Sequence, residues 1–280
     1  MGNMSLKPVA KIIGEDFDMD PANRQKLLEG WCQEKISETC VLVAGAGALG
    51  NEVIKNLIQI GVGEIYVVDF DHIVVSNLNR CIFFRREDAL SKLKKVDVIV
   101  KRAREVDPYG YVKVVPFDGD LTKIDYSDEL YTKPDIYVST LDNLYARLYL
   151  NMAAIVNNRP LIDGGMEGYI GHVQVVLPGK TACLQCSIGE REMQLLMDKL
   201  SCSAQGLEFI GYKIPALPTT TSIIAGIQVQ ELIKLVLNIG KPLAGKRLFY
   251  NGLINAFHVF KLERNPSCIA CGNTNTYGKN

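Results

Sequence analysis

The chain is poor in histidine and tryptophan, with three of the first and one of the second among 280 residues. His72, His172 and His258 stand far apart with no partner recognisable in sequence, and none is assigned a catalytic part. An excess of charge is also missing: Lys and Arg total 31, Asp and Glu total 31, and no bulk field draws the chain to nucleic acid or membrane. No apolar run approaches the ~20 residues of a membrane span. The opening MGNMSLKPVAKIIGEDFDMD lacks a signal-peptide core, and Gly2 behind Met1 is a poor myristoylation pattern that is set aside. Internal repeats and low-complexity segments are absent. These absences leave a soluble, cytoplasmic enzyme as the expectation, and a hydrophobic content of 48% is enough for a substantial core.

What is present reads as an α/β chain. CVLVAGAG is a short apolar run ending in glycines, as a buried parallel strand should be. Val53, Ile54, Leu57 and Ile58 follow as a helical stripe closed by Gly61. EIYVVDFD is the next strand, and SKLKKVDVIVKRAREVDP places Leu93, Val96, Val100, Ala103 and Val106 on one helical face ending at Pro108. YVKVVPF, DIYVSTLD and PLIDGG are further strands, the last two separated by the helix NLYARLYLNMAAIVNN. This alternation predicts a doubly wound, Rossmann-like, mostly parallel sheet. GYIGHVQVVLPG and RLFYNGLINAFHVFKLER have period-two character and should extend it with antiparallel strands, with the apolar helix SIIAGIQVQELIKLVLNIG between them ending at Gly240. Residues 1–38 read as an N-terminal arm with a helical piece around PANRQKLLEGWCQEKI. Residues 39–280 read as one unit containing a weakly periodic crossover segment at 187–215.

Gly45, Gly47 and Gly50 end a strand and open a helix, where glycines bring the backbone close to phosphate and the helix N-terminus favours negative charge. Asp69 ends the next strand, where an acid can take ribose hydroxyls. A hydride-transfer enzyme has little use for the charge that follows. Asp71, Asn77, Asn79 and Arg80 crowd the second strand's end, Lys92, Lys94 and Lys95 begin the next helix, and Asp142 and Asn143 end the fourth strand. Any one of these is as readily solvated surface. Together, at strand ends, they suit a triphosphate with a carboxylate able to hold Mg²⁺.

Of the eight cysteines, Cys183-x-x-Cys186 and Cys268-x-x-Cys271 form two pairs with the spacing of a closed, structural four-thiolate zinc site. Reduced, merely buried cysteines are the alternative. Cys32, Cys40 and Cys81 read as structural. Cys202 lies in the crossover among Ser201, Ser203, Ala204, Gln205 and Gly206, which read as an exposed turn rather than core.

In combination, GAGALG, VVDFDHIVVSNLNR, STLDN…R and the paired CxxC motifs resemble the ubiquitin-activating enzyme superfamily, over roughly residues 20–275. That superfamily includes adenylyltransferases of molybdopterin and thiamine biosynthesis and the activating enzymes of ubiquitin-like modifiers. The resemblance implies that ATP and Mg²⁺ adenylate the C-terminal glycine of a small β-grasp protein, with release of pyrophosphate. It implies phosphate contacts from Gly45, Gly47, Gly50, Asn77, Arg80 and Lys94 (Lys92 being the rival of Lys94), ribose contact from Asp69, and Mg²⁺ on Asp142. NRQ at 23–25 resembles the motif whose arginine reaches the partner subunit's ATP site, making Arg24 a candidate arginine finger and a homodimer the expected assembly.

LPTTTSIIAGIQVQ resembles the stretch that follows the catalytic cysteine in compact modifier-activating enzymes, which would make Cys202 the thioester nucleophile and a conjugating enzyme the recipient. Cys202 stands eleven residues before Lys213, farther from that stretch than in those relatives. The crossover is too short for a large catalytic-cysteine domain, and the nine residues after Cys271 leave no room for a ubiquitin-fold domain. The rival reading is a sulfur-carrier adenylyltransferase that makes only the acyl-adenylate. A redox Rossmann enzyme leaves Arg24, Arg80, Asp142 and the paired cysteines unexplained, and a dead partner subunit would not need Arg24, Lys94 and Asp142.

Overall fold

The computed structural model describes residues 19–188 and 214–272. Its frame is an eight-stranded sheet in the order β3-β2-β1-β4-β5-β6-β7-β8. The strands are β1 Cys40–Ala44, β2 Glu64–Val68, β3 Lys113–Phe117, β4 Ile136–Ser139, β5 Leu161–Glu167, β6 Ile170–Val176, β7 Lys246–Asn251 and β8 Ala256–Lys261. The first five are mutually parallel and the remainder antiparallel, as expected. β1 is buried at every residue, which is why it reads as an unbroken apolar run. The strand order reverses between β1 and β4, so their carboxyl ends open a crevice at the switch point of the sheet.

The helices are α1 Gln33–Glu38, α2 Ala48–Ile60, α3 Arg86–Leu90, α4 Lys95–Val106, α5 Glu129–Thr132, α6 Leu144–Val156 and α7 Pro218–Leu237 among the described residues. Alternating strand residues feed two apolar clusters. Val41, Val43, Ile65, Val67, Val138 and Ile162 pack with α2, α4 and α7 on one face. Leu42, Ala44, Tyr66, Tyr137 and Leu161 pack with α6 on the other. This period-two division is what a sheet covered on both faces requires.

Five expectations need correction. The N-terminal helical piece is broken: a 3-10 turn at Gln25–Leu27 is separated from α1 by Gly30, whose φ of +79° ends helical continuity. Ile36 of α1 is fully buried in the main cluster, so this end of the supposed arm belongs to the globule. On α4 the buried residues are Lys95, Val96, Val98, Ile99 and Ala103, whereas Leu93 and Val106 are exposed, so the packed stripe is phased differently from the sequence reading. Finally, α7 starts at Pro218, a residue suited to a first helical position, and stops at Leu237 because Asn238 takes a left-handed cap (φ 53°), before Gly240. At 20 residues α7 has the length and hydropathy of a membrane span, contrary to the expectation that no run would. It packs on α2, β5 and β6, with Gln228 and Glu231 buried along it.

Candidate nucleotide-binding cleft and cysteine cluster

The glycine loop leaves β1 directly at the switch point. Gly45 has φ +100°, and a Cβ there would lie 2.9 Å from Thr140 Oγ1, so only glycine fits. At Gly50 a Cβ would come within 2.0 Å of the Gly45 carbonyl oxygen, which lets the first turn of α2 sit tight against the loop. The Gly45 amide donates to Val68 O (2.9 Å) and the Ala46 amide to Asp69 Oδ2 (2.8 Å). The Thr140 hydroxyl lies 2.8 Å from both Ala44 O and Gly45 O and holds those carbonyls in place. Gly47, Ala48 and Leu49 open α2, so their amides lack a carbonyl one turn back and line the cleft instead.

The cleft is a cavity of about 250 Å³ whose other walls include Asp69, Asp71, Asn77, Arg80, Lys95 and Asp142. A second cavity of about 360 Å³ joins it through Asp69, Asp71 and Asp142 and runs to Gly119, Asp120 and Leu121. A third, of about 350 Å³, joins it through Leu141, Asp142 and Met166 and runs to Arg147, His172 and Phe249. Asp142 lines all three. It is an exposed carboxylate, a hard oxygen donor of the kind Mg²⁺ prefers.

The structure brings most of the sequence-derived site residues together and redistributes a few. The Asn77 side-chain oxygen accepts from the Val74 amide (3.0 Å) and closes the turn that carries Arg80. Arg80 reaches the cleft with one nitrogen donating to Ser76 O (2.5 Å) and to Asn79 Oδ1 (2.8 Å). Asn143 lines the second cavity and caps α6, accepting from the amides of Tyr145 (2.8 Å) and Ala146 (3.4 Å).

Of the three lysines, Lys95 enters the cleft. Lys94 lies 3.1 Å from Asp118 and donates to Phe70 O, and Lys92 is exposed. Lys95 shares a helical face with Ile99 and Ala103 at i+4 and i+8, so it is carried to the sheet's edge with the packed stripe. Burial disfavours its ammonium, but the charges of Asp69 and Asp71 outweigh that and raise its pKa.

Arg24 is elsewhere. Its neighbour Gln25 donates to Gln59 O at the far end of α2 and accepts from the Tyr109 hydroxyl (3.0 Å). A helix of 13 residues separates that end from the glycine loop, about 20 Å. Cys202 and most of the crossover lie outside the described residues.

Arg147, on the wall of the third cavity, belongs to a pair that sequence reading did not anticipate. Asp163 of β5 is fully buried and accepts Arg147 Nε at 3.0 Å and Nη2 in a bidentate pair. Burial alone would push its pKa up; the Arg147 charge overrides this and holds it well below the usual carboxylate range. Arg147 Nη2 also lies 2.8 Å from His172 Nε2. The R of STLDN…R was visible in sequence, but its acidic partner was not.

Elsewhere in the fold, the sulfurs of Cys183, Cys186, Cys268 and Cys271 all lie within 4.8 Å of one another. Cys183–Cys268, Cys183–Cys186 and Cys186–Cys271 are 3.7, 3.8 and 3.3 Å apart. A tetrahedral zinc with ~2.3 Å bonds has sulfur–sulfur edges of about 3.8 Å, so the four thiols fit that ion as a closed site. The Asn151 side chain of α6 accepts the Leu184 amide (3.0 Å), and the Asn265 amide donates to Cys186 Sγ (3.4 Å). Burial and the neighbouring thiols push the Cys183 thiol far up.

Comparison with known proteins gives the same frame. The ThiF family model matches residues 12–270. A sulfur carrier protein adenylyltransferase of Thermus thermophilus is 31% identical over 92% of this chain and 93% of its own length. Ubiquitin-like modifier-activating enzyme 5 of Caenorhabditis elegans is 28% identical over 93% of this chain, which spans only 63% of that relative. Among solved structures, E. coli MccB with ATP superposes with a TM-score of 0.74 at 23% identity, covering 90% of this chain and 74% of MccB, a likeness of fold.

Proposed function

Because the chain belongs to the ThiF family, we propose that it is an ATP-dependent activating enzyme for a ubiquitin-like protein. In this reading a carboxylate oxygen of the modifier's C-terminal glycine attacks the α-phosphorus, the bond to the bridging oxygen of the β-phosphate breaks, and pyrophosphate leaves. The observation that carries it is Asp142 standing where three cavities meet, with the Lys95 ammonium, the Arg80 guanidinium and the first-turn amides of α2 around the middle one.

The cavity toward Leu121 suits the nucleoside, with Asp69 at the ribose. The middle one suits the phosphates, and the one toward Arg147 and Phe249 suits the incoming peptide tail. Mg²⁺ on Asp142 would neutralise phosphate charge. The chain's own groups position and offset the negative charges that converge as the carboxylate meets the phosphate. Arg24, at the far end of α2, is suited to act in a second copy's cleft, in a cytoplasmic homodimer.

After adenylation, the Cys202 thiolate takes the acyl group as a thioester, AMP leaves, and a conjugating enzyme receives the modifier. One observation favours a narrower reading. The relative named a sulfur carrier protein adenylyltransferase is 31% identical, against 28% for ubiquitin-like modifier-activating enzyme 5, which supports an enzyme that makes only the acyl-adenylate.

A non-reducing gel of the protein with Mg·ATP and the host's small β-grasp proteins separates them. A thiol-sensitive band one modifier heavier, lost in Cys202→Ala, supports the thioester. ATP–pyrophosphate exchange in both proteins without that band supports the narrower activity. Absence of exchange with every β-grasp protein would sink both.

A further inference from the structure

One polar side chain sits where the helical pattern calls for an apolar one. Asn51 lies on the buried stripe of α2 with Ile54 and Ile58 and is fully buried. Its amide nitrogen donates to Ala46 O and to Gly47 O, both at 2.9 Å. Its side-chain oxygen accepts the amide of Phe83 at 3.0 Å. Both protons of the amide and its oxygen are therefore engaged. Thr140 holds the carbonyls of Ala44 and Gly45, so two side chains engage four successive loop carbonyls.

The Phe83 bond reaches a different part of the site. Phe83 follows Arg80 by three residues and is anchored with Cys81 and Phe84 in the main core. Arg80 itself is half-exposed and hangs on a short turn, closed by the Asn77 carbonyl accepting from the Cys81 amide (3.0 Å). Asn51 thus joins the loop that presents the backbone amides to the segment that presents the guanidinium. It does so without lining the cleft, and burying an amide on an apolar stripe is justified only by partners that an apolar residue could not supply.

We propose that Asn51 is a positioning residue that fixes the glycine loop and the Arg80 segment at one spacing, so that both meet the same phosphate chain. This rests on the nucleotide reading of the cleft. An apolar residue at position 51 would take the side-chain donor from the Ala46 carbonyl and leave the Phe83 amide without its acceptor, while Gly47 O would keep the backbone amide of residue 51, and the two halves of the phosphate site would lose register.

Titration of the full chain with ATP and, separately, with adenosine, followed by NMR, tests this on wild type, Asn51→Ala, Arg80→Ala and the double variant. Each single variant should weaken ATP about tenfold, and the double variant should fall short of the product by about threefold or more, as sites acting through one element do. Adenosine affinity should stay within about twofold, because the nucleoside lies in the neighbouring cavity. Equal weakening of ATP and adenosine in Asn51→Ala, or strict additivity with Arg80→Ala, would overturn the proposal and leave the nucleotide reading standing. Wild type that binds neither compound overturns that reading and the proposal with it. If Asn51→Ala does not fold, Asn51→Ser, which can still donate to Gly47 O one turn back but cannot span to Phe83, is read by the same criteria.

Discussion

Lys95 Nζ lies 2.6 Å from Asp71 Oδ2 and 3.6 Å from Asp69 Oδ1, so the cleft's ammonium is held by two acids that follow β2. A triphosphate entering the cleft competes with Asp71 for that ammonium. Removing it in Lys95→Ala should cut ATP–pyrophosphate exchange by about a hundredfold, the scale of losing one donor aimed at developing charge. Lys94→Ala should change exchange by less than about threefold, because Lys94 faces Asp118 outside the cleft and forms only a surface pair there. The reverse ranking in an exchange assay would return the role to Lys94.

The lysines also show how far the sequence could be read. The β-α alternation and the glycine loop were legible because buried parallel strands and a first-turn glycine leave local marks. The two CxxC pairs were legible because metal geometry dictates their spacing. Lys92, Lys94 and Lys95 are equivalent in composition, and only the phase of the α4 stripe separates them; taking Val96, Ile99 and Ala103 as the packed set would have picked out Lys95. Thr140, Asn51 and Asp163 act through contacts with residues 16 to 96 positions away, which no local pattern encodes.

Arg24 and Asp142 offer a test of sharing between copies. If Arg24 serves the cleft of a partner, Arg24→Ala and Asp142→Ala should each be nearly inactive alone. Mixed after subunit exchange, they should recover about a quarter of wild-type exchange, since half the dimers are hybrids and each hybrid holds one intact site. No recovery, with hybrid dimers demonstrated by mass, would place Arg24 outside the partner's site.

The Asp163–Arg147 pair has a defined pH signature. The folded pKa of Asp163 lies below that of the unfolded chain, so the unfolded state takes up the proton first as the medium acidifies. The pair's contribution is therefore complete above the ~3.9 of a free aspartate and is lost as pH falls below that value toward the folded pKa. Asp163→Asn should lower stability near neutral pH by about 3 kcal/mol, by leaving a buried guanidinium without its counter-charge. It should also flatten the acid limb of a urea-midpoint profile below about pH 4. A parallel, unflattened profile would mean that Asp163 does not titrate as the structure implies.

The cysteine cluster makes the last prediction, and it turns on topology. Cys183 and Cys186 follow β6, Cys268 and Cys271 follow β8, and a metal joining them closes a loop of 85 residues that contains the whole crossover and α7. Because the site is closed, metal loss should act on stability before it acts on chemistry. Protein purified under reducing conditions should hold about one zinc per chain, and Cys268→Ser should reduce this severalfold and destabilise the fold by about 3 kcal/mol or more. The ATP affinity of whatever protein remains folded should change little, since the cleft shares no residue with the cluster. Metal analysis by mass spectrometry, paired with thermal melts before and after chelation, reads both halves. A wild-type protein that carries no zinc and melts identically with chelator would identify the four thiols as ordinary core cysteines.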